Sequence, residues 1–158
     1  MYKILSLNVN NHSGVLARIS GMFSGKGYNL ESLTVGITTN PAISRITLVC
    51  NGNDTEFQQI KKQLNKLIDI IKVKDFTDKL VVKKELAFIK IQSNHDEKSK
   101  IISISEAFGA KVIDISLDTL MVELTASTDG INHFMDVFAE YNILEIARSG
   151  VVAMELTR

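Results

Sequence analysis

Residues 4–37 read ILSLNVNNHSGVLARISGMFSGKGYNLESLTVGI. The first seven alternate, with Leu5, Leu7 and Val9 on one face and Ser6, Asn8 and Asn10 on the other, the period of a half-buried strand. Asn11-His12-Ser13-Gly14 breaks the alternation with turn and helix-start residues. From Val15 to Lys26 the period changes. Val15, Leu16, Ile19, Met22 and Phe23 fall on one helical stripe, and Gly27 is placed to end the helix in a left-handed cap. Alternation returns from Asn29 to Ile37 through Leu33, Val35 and Ile37. Strand, helix, strand within 34 residues sets the pattern for the rest of the chain.

Outward from that stretch the same rhythm continues. Thr38-Thr39-Asn40-Pro41 is a turn around the chain's one proline. Ser44–Cys50 reads as a strand, Phe57, Ile60, Leu64 and Leu67 as a helix, and Ile70–Phe76 as a fourth strand, completing βαββαβ. After a polar Thr77-Asp78-Lys79 the order repeats. A strand at Leu86–Ile91 leads to a helix at Ser99–Phe108 ended by Gly109. Strands at Val112–Leu117 and Leu120–Thr125 follow, then a helix marked by Ile131, Phe134, Met135 and Phe138, and a last strand at Ile143–Val152. The expectation is α+β: two ferredoxin-like βαββαβ domains in tandem, 1–77 and 78–158. Domains this small bury only about 60% of their unfolded surface, so a second copy of the chain is expected to help cover them.

Composition limits the function. The chain has 158 residues, 45% apolar and 23% charged, with 18 basic against 18 acidic side chains. A zero net charge argues against a polyanion or anionic membrane surface as the main partner. No apolar run reaches the ~20 residues of a membrane span, and the first residues lack the pattern of a secretory signal. The single cysteine, Cys50, fits a reducing compartment and reads as a small buried hydrophobe on a strand. A cytoplasmic location is expected.

Little in the sequence points to catalysis. His12, His95 and His133 have no partners at metal-ligand spacing, and His95-Asp96-Glu97 reads as the first turn of a helix, where acidic residues favour the dipole. The glycines from Gly21 to Gly27 match neither a dinucleotide fingerprint nor a P-loop and lie at the wrong end of a helix for an anion. No nucleophile elbow is present. The informative place is the first strand-to-helix junction, Asn10 to Leu16. Amides at a helix N-terminus bind carboxylates, Gly14 lets a ligand approach the main chain, Asn11 both donates and accepts, and Val15 and Leu16 offer an apolar wall. The same residues also suit an ordinary cap, with Asn11 or Ser13 closing the helix. From these residues both readings stand.

The run Asn11-x-x-Gly14-Val15-Leu16-Ala17-Arg18, then Phe23-Ser24, Gly27-Tyr28-Asn29-Leu30-Glu31-Ser32-Leu33-Thr34-Val35, and Ser44-Arg45-Ile46-Thr47 resembles the regulatory (small) subunit of acetohydroxyacid synthase, also called acetolactate synthase. Glu145-Ile146-Ala147-Arg148-Ser149-Gly150 is similar to a second signature of that family. The resemblance implies that the first domain is an ACT-type amino-acid sensor. It implies a chain without an active site or cofactor, whose catalytic (large) subunit holds thiamine diphosphate, Mg and FAD. That partner would be activated by this chain and feedback-inhibited through it by valine, in branched-chain amino-acid biosynthesis. It implies a homodimer through the ACT domain with valine at the interface. The valine carboxylate would meet amides around Gly14, Val15 and Leu16, its amino end Asn11, and Asn29 beside Leu30 would reach in from the other chain. His12 stands where the resemblance leads one to expect an acidic residue. Residues 93–109 carry no matching motif.

Three other readings compete, one of them a small ferredoxin-like enzyme, which the absent catalytic constellation disfavours. An RNA-recognition module shares βαββαβ but stacks bases on sheet aromatics; the third strand, Ser44–Cys50, has none, and aromatics make up 6% of the chain. A stand-alone ACT-type sensor for another enzyme differs only in its partner.

Overall fold

The structure, a computed structural model, describes residues 2–157; Met1 and Arg158, the outer limits of the two expected domains, lie outside that range. The first half runs β1 (Tyr2–Asn10), α1 (Val15–Lys26), β2 (Asn29–Ile37), β3 (Ile43–Asn51), α2 (Asp54–Leu64) and β4 (Ile70–Asp75). The second runs β5 (Val81–Gln92), α3 (His95–Ala107), β6 (Lys111–Ile115), β7 (Thr119–Ala126), α4 (Thr128–Val137), β8 (Ile143–Arg148) and β9 (Val152–Glu155). The antiparallel sheets are ordered β2-β3-β1-β4 and β6-β7-β5-β8, with β9 also on β5. This is the ferredoxin-like order, taken twice, as the periodicity predicts.

In the first half Leu5, Leu7 and Val9 pack with Ile19 and Phe23 of α1 and Phe57 of α2. Helix α2 is started by a reciprocal pair: Asn53 accepts from the Glu56 amide at 2.9 Å while Glu56 accepts from the Asn53 amide at 2.9 Å. That box supplies partners to two amides that the helix itself leaves unpaired. Gly27 takes the left-handed conformation expected, φ 69°. In the second half Ile89, Ile91 and Val122 pack with Ile101 of α3 and with Ile131 and Phe134 of α4.

Helix α3 begins at His95 behind the cap Asn94, so His95-Asp96-Glu97 is its first turn as read, ahead of the stripe from Ser99. Two local expectations differ from the structure. Strand β5 begins at Val81, five residues before the expected start. The last expected strand is two strands, β8 and β9, parted at Gly150, whose φ of 80° turns the chain. The compact units accordingly comprise residues 2–83 with 151–157, and residues 84–150. This division differs from one at 77/78 because the tail has an apolar destination. Val151 and Ala153 are buried with Ile4, Val49 and Phe76, the Leu156 amide donates to the Leu80 carbonyl at 3.0 Å, and Glu155 pairs with Lys74 and Lys79. The tail also covers Ile4, on the face of β1 expected to be polar and open, and Ser6 on the same face is buried too.

Cys50 is buried, 1% exposed, on β3. Burial pushes its thiol up to about 11, so only about a thousandth is thiolate at about pH 8. The folded chain is expected to leave a thiol-exchange chromophore uncoloured and to react with one equivalent in denaturant. Fast reaction of the native chain overturns the assignment of Cys50 to the core.

Candidate functional site: the junction between β1 and α1

The chain leaves β1 at Asn10, whose amide donates to the Asp69 carbonyl at 2.9 Å, and the next amide, Asn11, donates to the Ala42 carbonyl at 2.8 Å. The Asn11 side chain donates from Nδ2 to the Pro41 carbonyl at 2.8 Å, which leaves Oδ1 as an acceptor. Gly14 occupies the position before α1 at φ 88°, ψ −15°, and no side chain caps the helix. A non-glycine residue there carries left-handed strain. Neither Asn11 nor Ser13 is a cap: Asn11 is spent on the β2–β3 turn, and the Ser13 carbonyl faces His12 Nδ1 at 3.0 Å. Neither asparagine nor serine closes the helix as the capping reading expected, while Gly14 does make the turn.

The other helices make the contrast plain. Asn53 caps α2, Asn94 caps α3 and Ser127 caps α4. Helix α1 alone of the four lacks a capping side chain, and it alone has no acidic residue in its first turn. No side chain of the helix start meets its first amides or offsets the positive end of its dipole.

The second unit repeats the junction and closes it. Gln92 donates to the Asn142 carbonyl at 2.8 Å as Asn10 does to Asp69, and Ser93 donates to the Asp118 carbonyl at 2.9 Å as Asn11 does to Ala42. There Asn94 accepts from the Asp96 and Glu97 amides, and Glu97 accepts from the Asn94 amide. With its amides satisfied and two carboxylates in its first turn, α3 repels a carboxylate ligand. One backbone geometry thus yields one open and one closed helix start.

The remaining expected residues divide. The side chain of Val15 is in the core, 4% exposed, so what it offers a ligand is its amide; Leu16 is 44% exposed beside it. Asn29 pairs in register with Asn51, which pairs with Tyr2, whereas Asn10 pairs with Ile43 at the opposite end of the sheet. Eight strand residues separate those levels, about 26 Å. Within one chain Asn29 does not meet Asn11 and Gly14. Its Nδ2 donates to Glu31 at 2.6 Å, and Leu30 packs on the core. Residues 11–14 are exposed, and concavities of about 380 Å³ lie elsewhere, one lined by Lys26, Tyr28, Gln59 and Lys62, another by Ser93, Asn94, Asp118 and Glu140.

The sequence reading missed the residues that hold the junction. Asp69, 5% exposed, receives His12 Nε2 at 2.9 Å on Oδ1 and Arg18 on Oδ2. The available signal was a lone carboxylate inside the apolar run Leu67-Ile68-Asp69-Ile70-Ile71, since a buried carboxylate requires partners. Among the described residues no group of three or more His, Cys, Asp or Glu side chains is placed to hold a metal ion, and no helix is long and apolar enough to cross a membrane.

Residues 5–72 match the family described as AHAS small subunit-like ACT domain, and residues 84–157 match that described as Small subunit of acetolactate synthase. The acetolactate synthase small subunit of Bacillus subtilis is 42% identical over 154 residues, 97% of this chain and 90% of that one. The probable acetolactate synthase small subunit of Archaeoglobus fulgidus is 40% identical over 154 residues, 98% of this chain and 96% of that one. The crystal structure of the acetolactate synthase small subunit from Thermotoga maritima superposes with a TM-score of 0.91 at 31% identity, covering 100% of this chain and 99% of that one. Two family models, relatives 40–42% identical over nearly all of the chain and a superposition over its full length agree, and the chain belongs to the acetolactate synthase small-subunit family.

Proposed function

We propose that this chain is the non-catalytic regulatory subunit of a cytoplasmic acetolactate synthase, activating the thiamine-diphosphate-dependent catalytic subunit and conferring feedback inhibition by valine. The observation that carries the sensing role is the uncapped start of α1 behind a left-handed Gly14. The valine carboxylate takes the amides from Gly14 to Leu16, Asn11 Oδ1 accepts from the ammonium, and the Leu16 side chain lies against the isopropyl group. Thiamine diphosphate, Mg and FAD belong to the catalytic partner; this chain holds none.

The first domain, residues 1–77, is the sensing one, and it works as a homodimer. Strand β2 is a sheet edge that exposes Val35 (45%) and Ile37 (69%), the kind of edge that seeks a second strand. Two copies of β2 paired antiparallel about Leu33 set Asn29 of one opposite Ile37 of the other. Ile37 is level with the β1 end that leads into the junction. Asn29 and Leu30 then complete the site from the second copy, which accounts for an open junction in one chain. Valine has about eight heavy atoms, and an efficiency near −0.7 kcal/mol per atom gives about −6 kcal/mol, or tens of micromolar. A coupling of ~1–3 kcal/mol changes partner activity about 5- to 150-fold.

The test is acetolactate formation by the matching catalytic subunit with and without this chain, across a valine titration. Activation that valine then reverses is expected. Activation indifferent to valine removes the sensing role, and no effect with both proteins folded removes the partner.

A further inference from the structure

We infer that His12, placed between Asp69 and the Ser13 carbonyl, sets the effector affinity of this junction, and that effector binding tightens as the ring gains its second proton. The inference rests on the effector reading above and adds to it a residue and a condition.

The geometry carries it. Nε2 lies 2.9 Å from Asp69 Oδ1 and Nδ1 lies 3.0 Å from the Ser13 carbonyl oxygen. A carbonyl oxygen and an ionised carboxylate accept and cannot donate, so both ring nitrogens must donate for both contacts to be hydrogen bonds. Only the doubly protonated ring does so; the neutral ring sets a lone pair against one oxygen. The carboxylate is fixed from other directions. It is nearly buried, its second oxygen is held by Arg18 of α1, and the Asp69 main chain accepts from Asn10. Asp69, from the segment before β4, and Arg18, from α1, are the charged groups meeting His12 here, and the facing turn, residues 38–42, is neutral.

The consequence falls on the loop. Residues 11–13 connect two anchored elements, and the ring of His12 bonds both to the body of the unit through Asp69 and to its own loop through Ser13. Full protonation closes both bonds and orders the approach to Gly14, whose neighbouring amides take the effector carboxylate. Because Arg18 is already on the same carboxylate, the doubly protonated ring leaves the His12, Arg18 and Asp69 group with a net charge of +1. The proton therefore adds a positive field toward an anion as well as loop order. The ring is half exposed, so the gain is that of a solvent-competed ionic hydrogen bond, about three- to fivefold in affinity.

Calorimetric titration of the full chain with valine at about pH 6 and about pH 8, the interval in which imidazoles titrate, reads the effect. Wild type is expected to bind about three- to fivefold tighter at the lower pH, His12→Gln to show one affinity at both, and Asp69→Asn to bind more weakly and without pH dependence. Equal wild-type affinities at the two values, or the full pH dependence surviving in His12→Gln, overturns the inference while leaving the effector site standing. No binding at either pH removes the effector reading, and the ligand-free chain then decides the role of the ring. Backbone 15N relaxation at residues 11–14 is expected to show motion rising with pH in wild type but not in His12→Gln, and a pH-independent loop in wild type overturns it.

Discussion

Gly14→Asp is expected to eliminate the valine response while leaving activation of the catalytic subunit in place. Two contributions act. Gly14 sits at φ 88°, where an L-residue costs about 1–2 kcal/mol, although aspartate tolerates that region better than most. A Cβ built there meets nothing within 4 Å, so crowding within the chain adds nothing and the fold survives. The new carboxylate then projects into the space proposed for the effector carboxylate. Two like charges about 4 Å apart at an effective dielectric of 20 repel by about 4 kcal/mol. The repulsion alone exceeds a hundredfold in affinity, while the strain is spent on the stability of the fold. Gly14→Ala separates the causes, since it keeps the strain and omits the charge; it is expected to weaken binding by about tenfold or less. Calorimetry with valine, beside half-inhibition of the reconstituted enzyme, checks both variants. Wild-type affinity in Gly14→Asp places the effector elsewhere.

Phe134→Ala is expected to take the second unit to the edge of unfolding. The ring is fully buried, 0% exposed, and packs between Phe108 at a centroid distance of 5.3 Å and Phe138 at 4.5 Å. Removing a buried phenyl group costs about 3–5 kcal/mol. A unit spanning residues 84–150 has roughly 3–10 kcal/mol to lose at typical stability per residue. With a urea dependence near ~1.5 kcal/mol per molar, the transition moves down by about 2–3 M. Phe134→Leu, which keeps most of the volume, is expected to lose about 1.5 kcal/mol or less. A Phe134→Ala chain unfolding within about 0.5 M of wild type removes α4 from the core.

Much of this molecule is legible in local patterns. Alternation with period two and stripes with period 3.6 depend on which face of an element meets the core, so they are written directly in the order of residues. That is why β1, α1, β2 and the turn at Pro41 fall where the periodicity puts them. Misjudged boundaries have equally local causes: Gly150 turns what reads as one strand into two.

The candidate site was only half legible. Asn11 and Gly14 could be singled out by residue type, but types do not say whether an asparagine caps its own helix or holds a distant turn. The answer depended on the Pro41 carbonyl, 30 residues away. Asp69, 57 residues from His12 and 51 from Arg18, was invisible for the same reason: local sequence carries no record of which side chains long-range folding brings together.

By itself, then, the sequence determined the elements, their doubled βαββαβ order and the family, because each follows from local preference or from residues read in line. Tertiary structure alone decided the rest. It left α1 uncapped while closing α3, brought His12 and Arg18 onto one buried carboxylate, set Asn29 at the far end of its own sheet from Gly14, and returned residues 151–157 to the first unit. Each of these depends on segments remote in the chain becoming neighbours. The burial of apolar surface selects such neighbours across the whole fold, and no local stretch encodes it.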